Sequence, residues 1–165
     1  MKPARISATR YLLALLLICI LAPVGAPAGE KTTIGAVEEV RLLKWGIAIP
    51  ARIDTGAATS SLDVCDFEIK DNHVTFTLPD RCGGHKTRLP LADLRHIQTG
   101  EGGRQRPVVE LDICIGTRRV RAQVSLNDRS RLEYPFLLGR NVLEGNFVVD
   151  VSRMKTASPD CPDSQ

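Results

Sequence analysis

No apolar run in this sequence reaches the ~20 residues that a spanning helix needs; the longest is Tyr11 to Leu21. There is no His-Glu-x-x-His pair of the kind a zinc peptidase uses, and no Gly-Lys-Ser/Thr phosphate loop. The glycine-rich stretch Thr99 to Arg104 also lacks the G-x-G-x-x-G spacing of a dinucleotide fold. No internal repeat or low-complexity linker divides the chain. These absences remove nucleotide-driven and motif-defined metal chemistry from the first rank of readings.

Net charge is missing too, once the start of the chain is set apart. Lys2, Arg5 and Arg10 precede the apolar run, and Ala26-Pro27-Ala28 follows it. Basic, apolar, then small-x-small is the order of a secretory signal, so residues 1–28 are expected to be cleaved and the protein to be periplasmic or secreted, with no stable membrane anchor. Ile18 stands before Cys19 where lipidation needs a small residue, which argues against a lipid anchor. Of 22 basic residues the leader holds three, and it holds none of the 19 acidic ones. The remaining chain is balanced. Arg118, Arg119 and Arg121 form a local cluster, but no aromatic residues interleave with them to stack bases, and no nucleic-acid partner is expected.

Four cysteines remain: Cys65, Cys82, Cys114 and Cys161. An even number in an exported chain favours disulfides. Cys65 with Cys82 is the preferred pair, because the two bracket a hairpin. Cys114 is then either a buried thiol or the anchor of the tail through Cys161. The spacing Cys65-x7-His73-x8-Cys82-x2-His85 matches no familiar zinc ligand set, so no metal and no cofactor are expected.

From Thr32 onward the hydrophobic period is close to two. Phe67 and Ile69, a tight turn at Asp71-Asn72, and then Val74, Phe76 and Leu78 make one hairpin. Val109 to Ile115, Gly116-Thr117 and Val120 to Leu126 make a second. Ile47 to Ile53 reads as a strand and Phe147 to Val151 as a last one. Only Arg140 to Glu144 has a helical look, stopped by Gly145. The expected class is all-β with one short C-terminal helix: one domain over residues 29–151, then a polar tail, 152–165, that stays loose unless Cys161 pins it.

Two short stretches carry the chemistry. Asp54-Thr55-Gly56 ends the strand Ile47–Ile53, and the small residues Ala57 to Ser61 follow it. Alone, such a triplet is an ordinary turn. Downstream lies Pro135-Phe-Leu-Leu-Gly-Arg-Asn141, with Gly100, Gly102, Gly103 and Arg104 between the two in sequence. Taken together, these resemble the retropepsin-like aspartic proteases. The wider wording, from RIDTGAATSSL to YPFLLGRNVL, is similar to a bacterial branch often labelled ATP-dependent zinc protease, although nothing in the residues supports that label.

The resemblance implies a closed β-barrel of the acid-protease type, with Asp54 as the catalytic carboxylate and Thr55 and Gly56 shaping its loop. Gly100, Gly102, Gly103 and Arg104 would form a flap over a peptide or protein substrate. Leu137, Leu138, Gly139, Arg140 and Asn141 would support the loop from beneath. One triplet per chain implies a homodimer with one Asp54 from each copy. Two departures stand out. Residues 62–97 exceed a minimal retropepsin, and Ala58 and Thr59 occupy the positions where an acid would pair with Arg140, leaving Asp63 or a chain carbonyl as its partner. Two other readings remain: a non-catalytic peptide-binding module of the cell envelope, and a zinc metallopeptidase.

Overall fold

A computed structural model describes residues 30–99 and 102–162, with side chains considered outside 97–104. Its strands are β1 (Thr32–Ile34), β2 (Val37–Leu42), β3 (Ile47–Ile53), β4 (Ser60–Asp63), β5 (Phe67–Lys70), β6 (His73–Thr77), β7 (Lys86–Pro90), β8 (Asp93–Thr99), β9 (Gly102–Ile115), β10 (Arg118–Asn127), β11 (Phe136–Leu138) and β12 (Phe147–Val149). Among the described residues, one α-helical turn, α1 (Arg140–Leu143), and a 3-10 turn at Asp80–Cys82 interrupt them.

Six strands close a barrel in the order β10-β4-β11-β3-β2-β9, shut by antiparallel pairing of β9 with β10, and β8 adds to the free side of β9. Closure removes the unpaired edges that a flat sheet would leave. The expected all-β barrel with one short helix is therefore present. Strand β9 is long enough to take two partners within this one sheet: Gly102 to Val108 pairs with β8, and Val108 to Ile115 pairs with β10. The hairpin tip between Thr99 and Gly102 falls on residues outside those described, Gly100 among them.

Alternation explains the core. In β3, Ile49, Ala51 and Ile53 face inward, and Val40 and Leu42 answer from β2. Pro50, which has no N–H to give, lies in the part of β3 that β11 does not reach. Residues 67–90 form a separate three-stranded sheet, β5-β6-β7, which is the extra hairpin region. Its tight turn places Asp71 and Asn72 at φ of 51° and 56°, the left-handed pair that a two-residue hairpin demands. Phe76 of this sheet meets Trp45 edge to face, with ring centres 6.4 Å apart.

The polar tail is not loose. Cys161 is bonded to Cys114, with Cα atoms 5.9 Å apart. Ala36 N donates to Arg153 O (2.7 Å), Lys155 N to Val37 O (2.7 Å) and Asp160 N to Gly116 O (2.7 Å). Glu38, fully buried, accepts hydrogen bonds from Gly35 N, Thr156 Oγ1 (2.6 Å) and Ala157 N (3.0 Å). Burial pushes its carboxyl up, but the bonds from Thr156, Gly35 and Ala157 outweigh that and hold it below the ordinary glutamate value. Gly35 is required here, since a Cβ would stand 2.4 Å from Arg153 O.

The expected Cys65–Cys82 bond is not formed. Cys65 is exposed just before β5, whereas Cys82 faces the core from the 3-10 turn, and both are free thiols. Bracketing a hairpin leaves one thiol at the surface and packs the other into the core. Burial, with Asp63 nearby, pushes the Cys82 thiol up to about 11.

Candidate active site

Asp54 follows β3 where the strand emerges from the barrel. Its backbone N–H donates to Leu138 O (2.9 Å), continuing the parallel pairing of β3 with β11. Its Oδ1 accepts from Gly56 N (2.9 Å) and Ala57 N (3.2 Å), so the carboxylate closes its own turn. A Cβ at Gly56 would come within 3.2 Å of that oxygen. Asp54 is half-buried, while Thr55 and Gly56 are exposed. The loop thus offers a carboxylate to solvent on a fixed backbone.

That backbone is held from beneath by the second motif. Arg140 N donates to Ala57 O (2.8 Å) and Asn141 N to Ala58 O (3.3 Å). The Arg140 guanidinium donates through Nη1 to Gly56 O (2.7 Å) and Thr55 O (3.1 Å). Of the two partners considered for Arg140, the chain carbonyls are the ones it takes. Asn141 Oδ1 accepts from Ser60 N and Ser60 Oγ, both at 2.9 Å, and its Nδ2 donates to Gln123 O (2.8 Å). Gly139 is the contact point, since a Cβ there would lie 2.8–2.9 Å from Thr59 C, Thr59 O and Ala57 O. Leu138 is fully buried beneath this crossing and Leu137 reaches the cleft.

Asp63 serves elsewhere. It is 2% exposed and paired with Arg81 Nη2, and its Oδ1 accepts from Arg129 N (2.6 Å). Arg81 also donates to Arg129 O (2.8 Å) and Leu132 O (3.0 Å). This pair, with only Asp63 buried, fastens the loop 129–134, which forms one wall of a cavity of about 220 Å³ beside Asp54. Arg52, Arg129, Glu133 and Tyr134 share that wall. Tyr134 is hydrogen-bonded to Glu133, which pushes its phenol up.

Of the residues expected at the site, the structure brings together Asp54, Thr55, Gly56 and the Leu137–Asn141 support. Gly102 and Gly103 open β9 opposite Thr99 and Gln98. Gly100 and the Arg104 side chain lie outside the described residues. Sequence reasoning missed Arg52, Arg81 and Arg129. Arg52 carried one available signal, as the single charged residue in an otherwise uncharged strand. The others converge from separate loops and strands, and no spacing rule announces them. Among the described residues, no three His, Cys, Asp or Glu side chains cluster as metal ligands would, and no helix is long and apolar enough to cross a membrane.

Residues 33–160 match the RimB-like family model, described as retropepsin-like aspartic endopeptidase RimB. A probable alpha-L-glutamate ligase of Parasynechococcus marenigrum (strain WH8102) is 28% identical over 131 residues, which cover 73% of this chain. The chain spans only 28% of the length of that relative. The crystal structure of a protein of unknown function (DUF785) from Legionella pneumophila subsp. pneumophila str. Philadelphia 1 superposes with a TM-score of 0.67 at 29% identity, covering 77% of this chain and 98% of that one. With the family model extending from β1 through the pinned tail, the chain belongs to the RimB-like family of retropepsin-like proteins.

Proposed function

We propose that the chain is an exported aspartic endopeptidase that works as a homodimer, with one Asp54 from each copy flanking the scissile bond. The observation that carries this reading is the bracing of the Asp54 loop. Every backbone carbonyl from Thr55 to Ala58 is held by Arg140 or Asn141, a degree of fixing that a surface turn does not need and a positioned carboxylate does. One Asp54, ionised, takes a proton from water. Its partner, protonated, donates to the carbonyl oxygen of the peptide. The pair divides the two roles, one carboxyl acting as base and the other as acid. Thr55 and Gly56 shape the meeting loops, and Gly102 and Gly103 belong to the hairpin that closes over the substrate.

Export is supported by the leader pattern and by the Cys114–Cys161 bond, which an oxidising compartment preserves. The ligase activity of the relative from Parasynechococcus is not carried over, because the match covers too little of that protein. Its name does point to glutamate-bearing peptides as the substrates to try first.

The test is digestion of a peptide library across a range of pH by the mature protein and by Asp54→Asn. The variant is expected to fold and dimerise normally and to lose cleavage by at least about a thousandfold. Full activity in Asp54→Asn, or a mature protein that cleaves while sedimenting as a monomer at every concentration, would overturn the proposal.

A further inference from the structure

Backbone hydrogen bonds close the 3-10 turn Asp80–Cys82: Cys82 N donates to Pro79 O (2.7 Å), Gly83 N to Asp80 O (2.9 Å) and Gly84 N to Pro79 O (3.2 Å). Gly83 and Gly84 leave it at φ of 89° and 65°, in the left-handed region that favours glycine. The Cys82 side chain packs into the core. Arg81 stands among these anchors, so its guanidinium starts from a backbone with little freedom.

Each guanidinium nitrogen of Arg81 is in use. Nε (3.1 Å) and Nη2 donate to Asp63 Oδ2, Nη2 also to Arg129 O (2.8 Å), and Nη1 to Leu132 O (3.0 Å). Asp63, at the end of β4, holds the same segment from the other side. Its Oδ1 accepts from Arg129 N (2.6 Å), and its own N–H donates to Pro135 O (2.8 Å). Ion pairs such as Arg121–Glu110, between β9 and β10, join neighbouring strands at the surface, where water leaves them weak. The Arg81 pair instead ties together the turn after β6, the end of β4 and the loop 129–134.

That loop needs the tie. Residues 128–135 contain neither strand nor helix. Leu132 N to Arg129 O (2.8 Å) and Arg129 Nε to Tyr134 O (3.3 Å) fold it on itself without fastening it to the barrel. Yet Arg129, Leu132, Glu133 and Tyr134 wall the cavity beside Asp54, which Arg81 does not itself line.

We propose that Arg81 is a positioning residue for substrate: it holds the loop 129–134 in place as a wall of the Asp54 cleft, and the β5–β7 sheet is the scaffold that delivers it. The proposal rests on the peptidase reading above for its substrate, a peptide, and adds a determinant of how that peptide is held. A wall fixed before the peptide arrives removes an ordering cost from binding. The wall meets ground state and transition state alike, so its loss falls on KM rather than kcat.

The test reads binding, cleavage and loop motion separately. Decapeptides are selected from a random library by retention on the Asp54→Asn protein, and the tightest is labelled for fluorescence anisotropy. Adding Arg81→Met is expected to weaken this probe about tenfold, as for a loop in its competent arrangement a tenth of the time. In the protein with Asp54 intact, KM should rise about tenfold while kcat stays within about twofold. Arg81→Met strands the Asp63 carboxylate, so it is run beside the double variant with Asp63→Asn, which keeps the acceptor for Arg129 N. Arg81→Lys has one nitrogen for three partners, and should regain thermal stability but little of the affinity. Hydrogen exchange should quicken in residues 129–135 and stay unchanged in β3 and β9.

Unchanged exchange in that segment overturns the positioning role. So does a quickened loop with unchanged probe affinity, a kcat that falls at constant KM, or a library from which nothing is retained. Affinity lost with Arg81, in a parent protein that never cleaves, supports the positioning role and rejects the peptidase reading. Cleavage with a KM indifferent to Arg81 does the reverse.

Discussion

Replacing Glu38 with Gln tests whether a buried carboxylate clasps the tail. The side chain is fully buried, and both its oxygens are in use: Oε1 accepts from Gly35 N and Thr156 Oγ1, and Oε2 from Ala157 N. Glutamine keeps the shape but turns one acceptor into a donor. The least disruptive placement puts its NH₂ against Ala157 N, donor facing donor, and removes the charge from the other two bonds. Losing one charge-assisted bond and weakening two costs about 2–4 kcal/mol. For a domain of this size that lowers Tm by roughly 6–12 °C. The assay is thermal unfolding of the mature protein and the variant between pH 3 and pH 8. Because the folded Glu38 carboxyl lies below its ordinary value of 4.5, its stabilisation is complete above that value and is lost as pH falls through the folded pKa. The gap between the two proteins should therefore be full at neutrality and close in acid. A gap under about 0.5 kcal/mol at pH 7, or one that widens in acid, would refute the reasoning.

Two further outcomes follow from the same contacts. Gly139→Ala should destabilise by about 3 kcal/mol in urea unfolding, because the added carbon meets backbone at Thr59 and Ala57 that cannot swing aside; a neutral result would mean that the loop is free to shift. Cys161→Ser should cost about 4 kcal/mol from the loop that a separation of 47 residues closes. Added reductant should bring the parent protein down to the variant while leaving the variant itself where it was.

Local patterning carried a good deal of this structure. The strand Ile47–Ile53, the turn at Asp71-Asn72, the turn at Gly116 and the helix at Arg140 all rest on contacts a few residues long, so alternation and turn chemistry expose them. Sheet order is another matter. The parallel pairing of β4 with β10 and the placing of β11 between β3 and β4 are choices among distant partners. Nothing local distinguishes Ser60 beside Val124 from any other pairing. The Cys65–Cys82 pairing failed because nearness in sequence was its ground, whereas Cys114 with Cys161, the alternative left open, is the bond that forms. The site divided similarly. Asp54 and Gly139 are legible because the backbone geometry they serve demands particular residue types. Arg81 and Arg129 are ordinary residues whose place at the site comes only from convergence.

Strand β1 finds its partner in β12, with Thr32 opposite Phe147. A chain emerging from a ribosome makes its first strand more than a hundred residues before the partner exists. β3 likewise waits for β11, and the segment that buries Glu38 follows later still. Folding is therefore postponed until the segment that carries β12 has been made, and closure of such distant contacts is slow. Throughout that interval the apolar faces of β2 and β3 are open to whatever handles nascent chains. The timing of assembly is thus written into the pairing of β1 with β12.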